Sequence, residues 1–319
     1  MLKSNVLFKT PVLFIIFNRP DVTQIVFDQI KKIKPKYLFV AADGPRVNNI
    51  DDLAKCEKTR AIINQIDWDC ELKTLFRDKN LGCGLGVSSA ITWFFDNVEQ
   101  GIILEDDCVP DLTFFDFAEL MLEKYKYNNK VKMISGTNYL FNKIKRTESY
   151  YFSKYYSIWG WATWKRAWRD FDFNLTNWPE IKNSNYLKNS FNFKRDKLTK
   201  FWSNNFDAVY DKKIDCWGYQ WFYACLLSDG VTLVPVNNLV SNIGNIGAHG
   251  SGGSPFLRMP IKKTDIQLII DPKNIVADDA LDKLTYKNIG LFKYNLFKKI
   301  WRFRFAVFKT IKKMVFIQK

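Results

Sequence analysis

Residues 101–110 read GIILEDDCVP, a short aliphatic run that stops on three consecutive acids, Glu105, Asp106 and Asp107. Adjacent carboxylates repel and raise one another's pKa unless a cation sits among them. A solvated loop and a cation site both explain such a triplet in isolation, and the flanking sequence separates them. Gly101 to Leu104 is too short for a helix and reads as a buried strand. Asp111 to Tyr127 reads as a helix, with Phe114, Phe117, Met121 and Tyr125 stepping round one face. The acids therefore close a strand in a β-loop-α unit, which is where open α/β sheets hold ligands. Hard carboxylate oxygens suit Mg²⁺ or Mn²⁺, ions that commonly combine one or two protein carboxylates with phosphate oxygens of a substrate. A metal and diphosphate site is the expectation that follows.

Outward from this unit, the first half alternates strands and helices in the manner of parallel βαβ units, so the fold class is α/β. Val12 to Phe17 makes a first core strand, followed by a helix from about Asp21, whose carboxylate can cap it behind Pro20. Tyr37 to Ala42 makes a second strand and residues 51–66 a second helix. Leu72 to Phe76 makes a third strand, after which Asn80-Leu81-Gly82-Cys83-Gly84-Leu85-Gly86 opens a helix through Ile91, Phe94 and Phe95. The strand ends offer Asn18 and Arg19, Asp43, Arg77 and Asp78, and Glu105 to Asp107, enough polar groups along one edge for a nucleotide. GCGLG departs from the GxGxxG dinucleotide fingerprint and follows the third strand rather than the first. Its glycines suit a phosphate-cradling helix start or a simple tight turn, and both readings stand. The second half is aromatic, with Tyr155 to Trp164 and Asp215 to Trp221 the densest stretches. Such rings pack a core or form a platform for sugars.

The chain has 319 residues, 47 % of them apolar, enough for a substantial core without covalent staples. Six cysteines without CxxC spacing and one histidine argue against a zinc site and for reduced thiols in a cytoplasmic compartment. The apolar run near the start covers only Val12 to Phe17, so neither a signal peptide nor a spanning helix is expected there. Of the net charge of +15, 11 units come from lysines and arginines beyond residue 282, where no acid occurs. Two regions follow: a body over 1–282 and a basic tail over 283–319. On a helix, Leu296, Ile300, Phe303, Val307, Ile311 and Met314 line one face, and Lys298, Arg302, Lys309 and Lys313 the other. This pattern reads as an in-plane anchor on an anionic membrane surface, or as a terminal helix docked on the body. No nucleic-acid recognition motif accompanies the charge, so nucleic acid is not the expected partner.

ILEDD at a strand end, followed by Asp111, Phe114 and Phe115, resembles the metal-binding motif of GT-A glycosyltransferases related to N-acetylglucosaminyltransferase I. FNRP at 17–20, ADGPR at 42–46, RDKNLGCG at 77–84, ISGTN at 134–138, SIWGWATWKRAW at 157–168, WGYQW at 217–221 and LVSNIG at 239–244 are similar to the bacterial branch of that family. Together these pieces span about residues 10–255.

The resemblance implies a GT-A, Rossmann-like mixed sheet flanked by helices, and a transferase using a nucleotide-diphospho-sugar, a UDP-sugar first, with Mn²⁺ or Mg²⁺. It implies that Asp107 binds the metal, that Glu105 and Asp106 contact ribose, sugar or acceptor, and that Asn18, Arg19 and Asp43 hold base and ribose. Arg77 belongs to the same donor-binding edge. An inverting transferase also needs a general base. Many relatives read WDYQW or similar where this chain has Trp217-Gly218-Tyr219-Gln220-Trp221, which puts Gly218 at the expected carboxylate position. Asp215 supplies that base if the segment is helical, or serves as a structural cap. His249, the single histidine, lies in a glycine-rich stretch similar to the family's C-terminal active-site lid, and either contacts the metal or diphosphate or is incidental. The expected acceptor is a lipid-linked or surface-polysaccharide glycan at the inner face of the cell membrane. A sugar nucleotidyltransferase, or a catalytically weak nucleotide-sugar-binding or assembly protein, is the competing expectation.

Overall fold

The computed structural model describes residues 7–192, 194–244 and 256–289. In chain order the first half forms β1 (Val12–Ile16), α1 (Pro20–Ile33), β2 (Tyr37–Ala42), α2 (Asp52–Arg60), β3 (Glu71–Phe76), α3 (Gly82–Asn97) and β4 (Gln100–Glu105). The second half forms β5 (Cys108–Pro110), α4 (Leu112–Lys124), β6 (Val131–Ser135), β7 (Tyr150–Ser153), β8 (Trp161–Trp164), α5 (Lys165–Trp168), α6 (Trp178–Asn183), α7 (Tyr186–Asn189), α8 (Arg195–Tyr210), α9 (Gly218–Leu227), β9 (Val231–Pro235), β10 (Val240–Asn242) and α10 (Asp279–Ile289).

Eight strands hydrogen-bond in the order β3-β2-β1-β4-β8-β6-β9-β7, giving the mixed α/β sheet flanked by helices that the sequence leads one to expect. The first four are parallel, whereas β8 and β7 run against their neighbours. β1 and β4 are central and buried on both faces, which explains their unbroken aliphatic runs. Phe14 lies opposite Val40 and Leu104, and these three side chains join one core with Phe27 of α1 and Phe114 of α4. Leu13 and Ile103, on the other face, join a second core with Phe94 of α3. A slip of one residue would exchange the two faces, so the two-sided burial fixes register.

The tryptophan-rich segments build core. Trp161 stacks on Trp217 at 5.7 Å, and Trp168 and Trp221 close the same cluster. A third cluster gathers Trp178, Trp202, Phe206 and Phe222. These rings are buried in the core, whereas Tyr156, Trp159 and Tyr219 of the same stretches are half-buried.

Several element bounds differ from expectation. α1 begins at Pro20, with Arg19 in the cap position and Asp21 inside the first turn, so Asp21 does not cap it. Proline suits that first position because the N–H it lacks would have no helical partner. The helix expected over 51–66 ends at Arg60 and tightens into a 3₁₀ turn over Ala61–Gln65. α10 spans Asp279–Ile289, with Asp282 and Tyr286 buried.

One edge of the sheet gathers the carboxyl ends of β1 to β4, β6 and β9 together with the start of β7. The small β5–β10 pair stands beyond it. α10 runs from the opposite edge toward this one. Asp282 accepts from Ser153 Oγ and the Lys154 N–H at the end of β7, and Asn288 donates to the Tyr139 carbonyl just past β6. His249 and the amphipathic pattern over 291–316 lie outside the described residues. Among the described residues no helix is long and apolar enough to cross a membrane.

Candidate functional site

The cation that the acidic triplet calls for is Arg19. Because α1 starts at Pro20, Arg19 stands at the carboxyl edge between β1 and β4. Its Nε and Nη2 donate to the two oxygens of Asp106, while Nη1 pairs with Asp107 Oδ2 at 2.9 Å. Burial opposes the charge on Arg19, but Asp106 and Asp107 outweigh it and hold the guanidinium more firmly protonated than usual. One cation among three acids leaves an excess of negative charge. Burial, then the neighbouring Asp107 and Asp106, push Glu105 up to about 8. Burial pushes Asp106 up to about 6 against the pull of Arg19.

Asp107 is oriented from the other side by β10. Asn242 Nδ2 donates to its Oδ1 at 3.0 Å, and the Ile243 N–H donates to its carbonyl at 2.8 Å. A Cβ at Gly244 would stand 2.3 Å from Asp107 Oδ2, so glycine there keeps the space beside that oxygen open. Among the described residues no group of three or more His, Cys, Asp or Glu side chains gathers in a metal-holding arrangement. Among the described residues Asp107, the carboxylate expected to bind a metal, therefore has no two further His, Cys, Asp or Glu side chains placed to share an ion. A carboxylate so placed fits Mn²⁺ or Mg²⁺ in the manner of a site completed by phosphate oxygens, and it is too sparse a donor to hold the ion unaided.

A second cluster surrounds the start of α3. Asp43 accepts from the N–H groups of Gly44, Leu81 and Gly82, and Asp215 accepts from those of Cys83 and Gly84, both at 2.8 Å. Of the two readings of Asp215, the cap is the one its contacts describe. The glycine turn is likewise engaged by protein carboxylates where a phosphate would dock, and Gly82 takes φ +81°, a conformation costly for other residues. Burial raises the Asp43 pKa despite these hydrogen bonds. Burial also lowers that of Arg77, whose Nη2 donates to Ser89 Oγ at 2.8 Å. Cys83 joins the two clusters: burial, then Glu105 and Asp215, push its thiol up to about 12.

Asn18 is held by a residue that sequence reading missed. Its Nδ2 donates at 2.8 Å to Asp52, a buried carboxylate that also takes two side-chain hydrogen bonds from Arg46. These bonds hold Asp52 at about 2, below the usual carboxylate range. Asn242 was missed likewise, although it lies in LVSNIG. At Gly218, a Cβ would meet Ile158 Cδ1 at 3.0 Å and Tyr156 Oη at 3.6 Å, so a side chain there would press on the end of Ile158.

No protein-family model matches the chain. No curated protein matches it. Several solved structures are similar in outline. HddC from Yersinia pseudotuberculosis shares 9 % identity at TM-score 0.33, over 54 % of this chain and 86 % of that one. The 4-diphosphocytidyl-2C-methyl-D-erythritol synthase of Anaerococcus prevotii shares 12 % at TM-score 0.29, over 60 % and 84 %. Mouse xyloside xylosyltransferase 1 in its apo form shares 10 % at TM-score 0.32, over 68 % and 81 %. Likenesses this loose carry no weight for the function of this chain.

Proposed function

We propose that this protein is a GT-A glycosyltransferase that moves a sugar from a nucleotide-diphospho-sugar, a UDP-sugar first, to a lipid-linked or surface-polysaccharide acceptor. The observation that carries the reading is the placement of Arg19, Asp106 and Asp107 at the carboxyl edge of β1 and β4, with Asn242 aiming the Asp107 carboxylate. In this reading Asn18, Asp43 and Arg77 bound the nucleoside end, and Glu105 and Asp106 face ribose, sugar or acceptor. Mn²⁺ or Mg²⁺ held by Asp107 would supply charge stabilisation for the departing nucleoside diphosphate. Arg19 steadies the acid pair, with its Nε and Nη2 on Asp106 and its Nη1 on Asp107 Oδ2. Asp215, with both oxygens on backbone N–H groups, acts by fixing α3.

A second reading, a nucleotide-sugar-binding protein with little turnover, is favoured by one observation: neither Gly218 nor the engaged Asp215 presents a free carboxylate. One experiment tests both. Thermal melting with a panel of nucleotide sugars, with and without Mn²⁺, should show a metal-dependent rise for the cognate donor, because a ligand that binds only the native state stabilises it. Asp107→Ala should fold and lose that rise. A variant that keeps the same metal-dependent shift refutes the proposed role of Asp107. A shift without any glycosidic product across an acceptor panel favours the second reading.

A further inference from the structure

Five basic side chains line a surface groove of about 420 Å³ between the 143–146 segment and α10: Lys143, Lys145, Arg146, Lys283 and Lys287. The single acid among its lining residues, Asp278, is taken by Arg146. Lys143 donates to Asn288. The ammonium groups of Lys145, Lys283 and Lys287 carry no partner among the described residues and are exposed. Lys283 and Lys287 are four residues apart on a helix, so they lie on one face and repel mildly. Such an arrangement is unfavourable by itself and becomes favourable against a surface of negative charge.

The groove also has a definite position. Because α10 runs toward the ligand-holding edge of the sheet, its end, tied to Tyr139 through Asn288, lies at that edge. The chain continues from there into residues 290–319, which add nine more lysines and arginines without an acid. We propose that this groove is a docking surface for the phosphate-bearing headgroups of an anionic bilayer. It sets the folded body on the membrane with the donor edge turned toward the lipid. It rests on the reading that the protein works at a membrane, and adds to it a contact on the body itself. A lipid-linked acceptor would then reach the Asp107 edge without leaving the surface.

The test uses the full chain and vesicles of phosphatidylcholine with or without phosphatidylglycerol. Wild type should bind only the anionic vesicles, more weakly at higher salt. Substituting Lys145→Gln, Lys283→Gln and Lys287→Gln together should weaken that binding on the order of 10²-fold, given the usual worth of a lysine near an anionic surface. Melting temperature should be unchanged. A control with Lys58→Gln, Lys130→Gln and Lys200→Gln should bind like wild type. Equal loss in the control means that net charge alone acts, and overturns the proposal. Wild-type binding by the groove variant overturns the groove and leaves the membrane reading standing. No binding by wild type overturns both. Loss of affinity for single-stranded RNA with vesicle binding kept would reassign the groove to nucleic acid, and overturns it too.

Discussion

Asp52 shows how far a single carboxylate can act. It is buried, holds Arg46 and Asn18, and titrates at about 2 because those hydrogen bonds favour its charged form. A folded value below the unfolded one means that its stabilisation is fully present above about pH 4 and is lost as pH falls toward 2. Asp52→Asn should destabilise the protein at pH 7 by about 1.5–3 kcal/mol, the usual worth of hydrogen bonds to a charged group. Urea midpoints for the two proteins should converge as the solution is acidified to pH 3 and below. If Asn18 bounds the nucleoside end as proposed, donor affinity should fall as well, since Asn18 loses its holder. The sequence did not reveal Asp52, which stands beside Asp51 at a helix start and reads as an ordinary surface acid. Its partner Asn18 is 34 positions away, and that of Asn242 is 135 away, distances at which no local pattern signals a contact. The place of Asp107 at a strand end in the candidate site was legible because its signal is local: a buried strand that ends in charge.

At the scale of elements, α3 is held by carboxylates from two distant segments. Asp215 satisfies two of its first N–H groups, and loss of such a cap costs about 0.5–2 kcal/mol. Asp215→Ala should lower the melting temperature by a few degrees. Amide exchange at Cys83 and Gly84 should accelerate. Lost turnover with melting and exchange unchanged would instead mark Asp215 as the base. Strand and helix order through β4 could be read from periodicity, because aliphatic runs and helical spacing are set within each segment. The order of β6 to β9 could not, because β8 and β7 reverse direction and their short runs, WATW and YYFS, carry no mark of which neighbour they choose. The start of α1 was misplaced by a residue because proline outweighs aspartate at the first helical position.

For the whole molecule, α10 is fastened across the end of the sheet by a carboxylate under strain of burial. Asp282 is pushed up to about 6 from an ordinary value of 3.8 by its surroundings, despite Ser153 and Lys154. A folded value above the unfolded one means the native state gains stability as pH falls through 6 toward 4, by about 3 kcal/mol in all for a shift of this size. Denaturation of wild type and Asp282→Asn between pH 7.5 and 4 should show wild type improving relative to the variant by roughly that amount. A constant difference would mean that Asp282 titrates normally. The strand order also constrains how the chain is made. Gly101 of β4 pairs with Thr163 of β8, and β8 joins the sheet only after β6 and β7 have been synthesised. A ribosome-bound chain that has released β1 to β4 therefore carries a four-stranded parallel sheet with an aliphatic, unpaired β4 edge, which is a template for pairing with other chains. The open edge passes from β4 to β6 once residue 164 is out and closes only when β9 (Val231–Pro235) pairs β6. Chaperone demand should therefore fall in two steps, after residues 164 and 235 clear the exit tunnel.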